Sequence, residues 1–180
     1  MRNLKTEAII IKRKDSGEAD RLLTVFTKGN GKMKIKAKGV RKISSRRGGH
    51  VELLNTSILS LYNGGKMPIL TEAVTLRAFS PEKNGLEKIG AAFHLCELID
   101  GLCAEHQENQ RVYALIKRTI EELENTEEID SLLNQFERDL LDLLGFWPKE
   151  KYLDPQDSQY VIEDILERKL RSKKILAAIL

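Results

Sequence analysis

The apolar residues change period at one place, Ser80-Pro81, and that change restricts the fold more than any other feature of the chain. Before it, short runs rich in Ile, Val, Leu and Thr alternate with Gly, Asn and Ser clusters, which is the punctuation of a β-domain. After it, apolar residues recur three and four positions apart, which is the spacing of helices. Five strands are predicted in the first part: Thr6 to Arg13, Arg21 to Thr27, Gly31 to Gly39, Val51 to Tyr62 and Ile69 to Phe79. Gly29-Asn30-Gly31 supplies a tight hairpin between the second and third, since Gly and Asn tolerate the positive φ such a turn demands, and Asn63-Gly64-Gly65 does the same later. The only long connections are Lys14 to Asp20 and Val40 to His50, so the strands suit a small closed or partly closed barrel. An OB-fold β-barrel fits first and an SH3-like barrel second.

The second part is predicted to be all helical, which makes the chain α+β with domains at 1–80 and 81–180. From Leu86 to Glu105 nearly every face is apolar except a stripe of Glu87, His94, Glu97 and Gly101, which places this helix at the centre of a bundle. Arg111 to Leu123 follows. Ile129 to Leu144 carries a stripe of Ile129, Leu132, Leu133, Phe136, Leu140, Leu143 and Leu144, closed by Gly145 and Pro148. Its polar back reads as a solvated face. Asp154-Pro155 reads as N-cap and first position of one last helix running towards Leu180.

Charge divides at the same place. The whole chain has 30 Lys and Arg against 27 Asp and Glu, net +3, which implies no particular partner. Residues 1–80, however, hold 17 basic and 6 acidic side chains, net +11, while 81–180 hold 13 and 21, net −8. The longest uncharged stretch, Leu53 to Gly65, is far short of the ~20 apolar residues a membrane span needs. The Ala8-Ile9-Ile10-Ile11 run lacks the length and cleavage site of a signal peptide, so a cytoplasmic protein is expected, with no membrane partner. Cys96 and Cys103, seven apart on a helix, lie roughly 10 Å apart along its axis, too far for a disulfide, and read as core thiols.

From Lys28 to Arg47 nine of 20 residues are basic and none is acidic. Lys32, Lys34, Lys36 and Lys38 alternate with Met33, Ile35 and Ala37, so the period of a strand puts all four ammonium groups on one face. Such like charges repel unless an anionic partner neutralises them, and phosphate is the obvious one. The following Gly39 to Gly49, with Arg41, Lys42, Arg46 and Arg47 between glycines, reads as a flexible segment able to follow a phosphate backbone. Edge protection also explains lysines on a strand, but here the charge persists into the loop without local balance. The predicted nucleic-acid site is therefore Lys32, Lys34, Lys36, Lys38, Arg41, Lys42, Arg46 and Arg47, flanked by Arg13, Lys14 and Arg21. Stacking platforms are few: Phe26 falls in an apolar strand and reads as core, and Tyr62 reaches solvent. Backbone binding with little base readout follows.

Enzyme constellations are poor. His50, His94 and His106 have no metal-ligand spacing, no CxxC or phosphate-cradling glycine motif occurs, and neither metal nor cofactor is expected. Asp15, Glu18 and Asp20 form the one acidic cluster of the basic half; a metal-dependent nuclease is one reading, and local pairing with Arg13, Lys14 and Arg21 the preferred one. An RNA-binding module of translation or ribosome assembly would use the basic strand equally well, but gains little from a net −8 companion domain.

Glu7-Ala8-Ile9-Ile10, Gly17-Glu18-Ala19-Asp20-Arg21-Leu22, Thr27, Gly31-Lys32, Ala37-Lys38-Gly39, Arg41-Lys42 and Ser45-Arg46 resemble, in order and spacing, the N-terminal domain of the RecO recombination mediator family. Leu61-Tyr62, Gly64 and Leu70-Thr71-Glu72-Ala73 resemble its last strands, and Leu143-Leu144-Gly145-Phe146 a helix of the family's second domain. The resemblance implies a non-enzymatic DNA repair protein of the bacterial cytoplasm, associated with the nucleoid. It implies binding to single- and double-stranded DNA, annealing of complementary strands, contacts with single-strand binding protein and RecR, and indirect help to RecA loading. Many members carry a cysteine-rich zinc element after the leucine-glycine helix; here no cysteine follows Cys103, so no zinc is expected, and the C-terminal part is shorter than usual. For the acidic, apolar-ended tail of single-strand binding protein, the expected receptor is Arg168, Lys169, Arg171, Lys173 and Lys174 beside the apolar Ile175 to Leu180, with Lys117 and Arg118 beside Tyr113 as the other candidate.

Overall fold

The computed structural model describes residues 3–148 and 150–179. Five strands precede five helices: β1 Asn3–Ser16, β2 Asp20–Thr27, β3 Gly31–Ala37, β4 Thr56–Tyr62, β5 Ile69–Arg77, α1 Pro81–Leu102, α2 Gln110–Asn125, α3 Ile129–Leu143, α4 Pro155–Leu166 and α5 Arg171–Ile179. The sheet closes into a barrel in the order β1-β2-β3-β5-β4. That is the expected α+β class with OB-type connectivity. The chain forms two compact units, one up to Phe79 together with Ala104–Tyr113, the other Ser80–Cys103 with the chain from Ala114 onward. A division at residue 80 alone therefore leaves out Ala104–Tyr113, which returns to the barrel unit.

The barrel closes because β1 is long enough to serve two neighbours. Its first half pairs antiparallel with β4 from Asn3 to Ile9, its second with β2 from Ala8 to Ser16, and a bulge between Ile10 and Lys12 lets the strand bend from one to the other. This is why β1 runs beyond the expected Thr6 to Arg13. On the far side β3 and β5 meet in parallel only at Lys36 and Ile69. The interior is the alternate set the sequence pattern marks, with Ala8, Ile10, Leu23, Val25, Met33, Ile35, Ala37, Leu59, Leu61 and Leu70 all buried. Each Val, Leu, Ile or Met side chain among them contributes ~1.5–3 kcal/mol when fully buried.

The predicted strand from Val51 starts at Thr56 instead. Gly48–Val51 forms a short 3-10 turn, Val51 and Leu54 drop into the interior, and Leu54 adopts a left-handed φ of 59° while its N–H donates to the Ile10 carbonyl. Asn55 holds this turn, donating through Nδ2 to the Gly49 carbonyl and accepting the Phe79 N–H on Oδ1 at 3.0 Å. Apolar residues alone cannot distinguish such a buried turn from a strand.

In the helical unit α1 packs against α3, α4 and α5. Gly85 interrupts α1 with φ 70°, so its regular part begins at Leu86 as expected, but the helix ends at Leu102 rather than Glu105, and Cys103 is its extended C-cap. The buried face of α3 is Leu133, Phe136, Glu137, Leu140 and Leu141, while Ile129, Leu132, Leu143 and Leu144 are half-buried at its margins. The single last helix is in fact two. Glu167 takes φ 52° between α4 and α5. The Glu163 carboxylate accepts the Leu170 N–H at 3.0 Å and pairs with Lys169 at 2.7 Å, fixing the turn. No described helix is long and apolar enough to cross a membrane.

Candidate nucleic-acid interface

Strand register decides which basic side chains share a face, because directly opposed residues point to the same side of a sheet. Lys14, Leu22 and Lys36 form one row across β1, β2 and β3; Lys12, Thr24 and Lys34 form the next; Ile9, Phe26 and Lys32 form a third. Met33, Ile35 and Ala37 point the other way, into the core, so the alternation in β3 is as expected. The outward face thus carries lysines on both sides of β2. Lys12 was missed by the sequence reading, although it stands two residues before Lys14 just as the β3 lysines do. Arg13 falls in a row with Leu23 and Ile35, and its guanidinium pairs with Glu52.

The expected four-lysine stripe is not uniform. Lys32 is only 6% exposed although it points out of the barrel, since the chain at Glu105 pairs with it as a parallel bridge. Lys34 lies 2.6 Å from the Glu105 carboxylate. Lys36 pairs with Asp20 at 3.2 Å, and Lys38 is exposed beyond the end of β3. The local imbalance of charge inferred from residues 28–47 is thereby reduced, by acids lying far away in sequence or across a hairpin.

The segment after β3 is braced where the sequence suggested an open flexible loop. Asp20 accepts the Gly39 N–H at 2.8 Å; the Arg41 N–H donates to the Ala19 carbonyl, and its guanidinium to the Gly17 carbonyl at 3.1 Å, with Asp15 at 3.5 Å. The Arg47 guanidinium donates to the carbonyls of Leu70 and Lys38, both at 2.7 Å. Arg47 thus clamps the loop to β5. The Gly39 N–H, and after it Lys36, hold the Asp20 carboxyl below the ordinary carboxylate range. Lys38, Lys42, Ser44 and Arg46 project from this frame with the fully exposed Ile43 between them, and Lys14 is exposed on the hairpin beside it. The β4–β5 turn adds exposed Lys66, and Pro68 accepts the Lys36 N–H at 2.8 Å.

Of the predicted set, Lys14, Lys36, Lys38, Arg41, Lys42 and Arg46 come together at the hairpin end of the barrel with Arg13, Arg21 and Arg47 as braces. Lys34 lies at the middle of β3 and Lys32 near its other end. The Asp15–Arg21 pair, at 3.0 Å, also answers the acidic cluster: two of its three carboxylates are held by cations and loop amides. Phe26 is buried and Tyr62 is partly exposed.

The C-terminal basic cluster is largely consumed within the helical unit. Arg168 pairs with Glu97 at 2.5 Å, Lys169 with Glu163, and Lys173 with Glu137 at 3.2 Å. Arg171 and Lys174 remain exposed next to the half-exposed Ile175. The other candidate is changed too: Tyr113 is buried, donating its hydroxyl to Glu7 at 2.8 Å, and Arg118 pairs with Asp139 and Glu122.

Residues 1–79 match the family description Recombination protein O N terminal, and residues 84–151 match Recombination protein O C terminal. A protein named DNA repair protein RecO from Roseiflexus sp. (strain RS-1) is 41% identical over 145 residues, 81% of this chain and 51% of that protein. Proteins of the same name from Dehalococcoides mccartyi (strain ATCC BAA-2266) and Desulforamulus reducens are 35% and 32% identical over 82% of this chain, and 58% and 57% of theirs. The chain therefore spans between about half and three-fifths of the length of these relatives.

Proposed function

Since the chain belongs to the RecO family of DNA repair proteins, we propose that its barrel grips the sugar-phosphate backbone of single- and double-stranded DNA without catalysing any reaction. The observation that carries this reading is the set of cations on the outer face of β1 and β3 and on the braced loop: the exposed Lys14, Lys38, Arg41, Lys42 and Arg46, with the half-buried, Asp20-paired Lys36 among them. Cations held on a frame meet phosphates with little ordering cost, and each contact releases condensed counterions. The large aromatic Phe26 is buried and so offers no stacking surface. A surface that holds backbones and leaves base edges free suits annealing of complementary strands. Assistance to RecA loading on DNA covered by single-strand binding protein is the wider role proposed for it, in the bacterial cytoplasm at the nucleoid.

The helical unit is assigned to protein partners, single-strand binding protein and RecR. Arg171 and Lys174 beside Ile175 supply the basic and apolar chemistry that an acidic tail with an apolar end requires. The reading is tested by titrating the full chain against a labelled single-stranded oligonucleotide over a range of salt. About six phosphate contacts give a log-log slope of roughly −4, at about −0.7 per contact. A slope near zero, or equal binding of a neutral-backbone analogue, overturns it.

A further inference from the structure

We propose that Glu105 acts as a built-in phosphate mimic: the segment Ala104–Asn109 lies along β3, occupies the Lys34 site with a carboxylate, and confines bound DNA to the hairpin end of the barrel. The inference rests on the DNA-binding reading above and specifies which part of the basic face is open to the ligand.

The segment is fastened to β3 by its backbone. Glu105 pairs with Lys32 as a parallel bridge, and the His106 N–H donates to the Lys32 carbonyl at 2.8 Å. Approach is so close at Gly31 that a Cβ there would stand 1.9 Å from the Gln107 carbonyl oxygen. Gly31 itself has φ 66°, and His106 holds a left-handed φ of 58°, a conformation that costs a non-glycine residue ~1–2 kcal/mol and persists where its surroundings fix it. Just beyond the segment, in the first turn of α2, Tyr113 donates to Glu7 on β1. The chain between α1 and α2 is thus bound to the edge of β3 as an added strand would be.

That placement has an electrostatic result. The Glu105 carboxylate lies 2.6 Å from the Lys34 ammonium, in the row that continues through Thr24 to Lys12. Lys34 first, and then Lys32 and His106, hold the Glu105 carboxyl below its ordinary range, so the acid is charged wherever DNA is. A carboxylate in an ammonium's contact shell does what a backbone phosphate would do there, and it repels a second anion. The next row holds Lys14, which is exposed, and Lys36, which Asp20 already pairs, and the loop that follows β3 carries the exposed Lys38, Lys42 and Arg46. A strand laid on the barrel therefore meets open cations on one side of Lys34 and a fixed negative charge at Lys34.

The test compares oligonucleotide affinity and its salt dependence for the full-length wild type, Glu105→Gln, Glu105→Gln with Lys34→Gln, and Glu108→Gln. Glu108 is an exposed acid of the same segment that bonds to Gln110, so its neutralisation changes net charge equally without opening Lys34. Glu105→Gln is expected to steepen the single-strand slope by about 0.7, one added phosphate contact, which over the decade below 1 M salt is about a fivefold gain at 0.1 M. The Lys34→Gln change should cancel that gain, and Glu108→Gln should leave the slope as it is. A gain of equal size in Glu108→Gln, or a gain that survives Lys34→Gln, shows a general charge effect and overturns the proposal. So does an unchanged slope in a Glu105→Gln chain whose thermal unfolding matches wild type. If neither wild type nor Glu105→Gln binds at low salt, the DNA-binding reading itself falls, and the mimic falls with it.

Discussion

The barrel and the helical unit use the same ion-pairing residues in opposite ways. At the β1–β2 hairpin end of the barrel the partly exposed pairs Asp15–Arg21 and Asp20–Lys36 tie neighbouring strands, and Arg41–Asp15 ties the loop after β3 to β1, while cations such as Lys38 and Lys42 are left in solvent. In the helical unit the Glu137 and His94 side chains are fully buried, 2.7 Å apart, with Ser158 at 2.5 Å and Lys173 at 3.2 Å on the same carboxylate. Ser172 bonds to His94, and Glu97 accepts the backbone N–H groups of Arg171 and Ser172 at the start of α5. Of the apolar side chains of α5 whose burial is described, Ile175, Ala177 and Ala178 are exposed and Leu176 is half-buried. The helix is docked by charge and hydrogen bonds. Exposed pairs are worth ~0–1 kcal/mol and are screened by salt, whereas breaking a buried pair strands a charge in a medium that cannot solvate it. Surface pairs therefore contribute little to the stability of the fold, whereas the buried ones cannot be broken without loss of structure.

The largest effect should come from breaking the buried network. Glu137→Ala leaves Lys173 and the His94 ring without their shared carboxylate and should cost ~3–5 kcal/mol of stability in denaturant unfolding. Phe136→Ala, next to it on α3 and 1% exposed, should cost a comparable ~3–5 kcal/mol through cavity formation. Both should lower stability and spare DNA affinity measured below their unfolding midpoints. A loss of DNA binding without loss of stability would mean that this face is a working surface.

Next in size is the barrel's own disruption, which should have the inverse pattern. Neutralising Lys38, Lys42 and Arg46 to Gln together removes three phosphate contacts, lowering the salt slope by roughly 2 and the affinity at 0.1 M about a hundredfold. The unfolding midpoint should move little, because none of the three side chains is buried. A large drop in stability would show that the loop is part of the barrel's core support.

How much of this contrast was legible in the sequence follows from what periodicity can encode. Outward against inward residues of β3 were legible, because a two-residue period states them directly. The partners of those lysines were not: Glu105 lies some seventy residues from Lys34 in sequence and reaches it through a segment with no period of its own. Register with β1 also brought Lys12 into the face, and register is invisible until the hairpin is built. In the helical unit a signal existed. Glu137 stands four after Leu133 and three before Leu140, inside the apolar stripe of α3, and His94 stands inside the apolar surround of α1. Two titratable residues on apolar faces of helices expected to pack together point to a buried pair, and treating the polar residues of α3 as one solvated back concealed it. The split of the last helix had no comparable mark, because Glu167 is an ordinary helix former forced into a left-handed turn by contacts made elsewhere.

Acid should separate the two regions further. Burial pushes the Glu97 carboxyl up, but the Ser172 hydroxyl, the Arg168 guanidinium and the N–H groups of Ser172 and Arg171 outweigh it and hold the group at about 2, against an ordinary 4.5. A carboxyl with a lowered folded pKa stabilises the fold fully above its unfolded value, and that stabilisation fades as pH falls from about 4.5 towards 2. The protection of α5 amides, relative to the intrinsic exchange rate at each pH, should therefore fall over that window, and Glu97→Gln should show the lowered protection already at neutral pH with a flatter dependence below it. Asp20 is also lowered, by the Gly39 N–H and then Lys36, but its pair with Lys36 is partly exposed and is expected to add little to the acid response. Barrel protection falling ahead of that of α5 as pH falls would reverse the assignment of which region relies on its carboxylates.

The smallest effect tests the exposed side of the comparison directly. Arg21 lies opposite Asp15 in the β1–β2 register, bonded at 3.0 Å with Glu52 at 3.8 Å, a geometry no worse than that of the buried pairs. What differs is water: the Asp15 side chain is 56% exposed, so solvation already supplies most of what the guanidinium gives it. Arg21→Ala should therefore cost under ~1 kcal/mol, less still at high salt, with Arg41 remaining near Asp15 to hold the turn. The DNA slope should change by no more than one contact. A cost above ~2 kcal/mol at moderate salt is a value typical of buried charge, and would place the hairpin pairs in the same energetic class as Glu137. In that case geometry rather than solvent exposure would set the strength of ion pairs in this chain, and cations paired at the hairpin would be no more available to phosphate than Lys173.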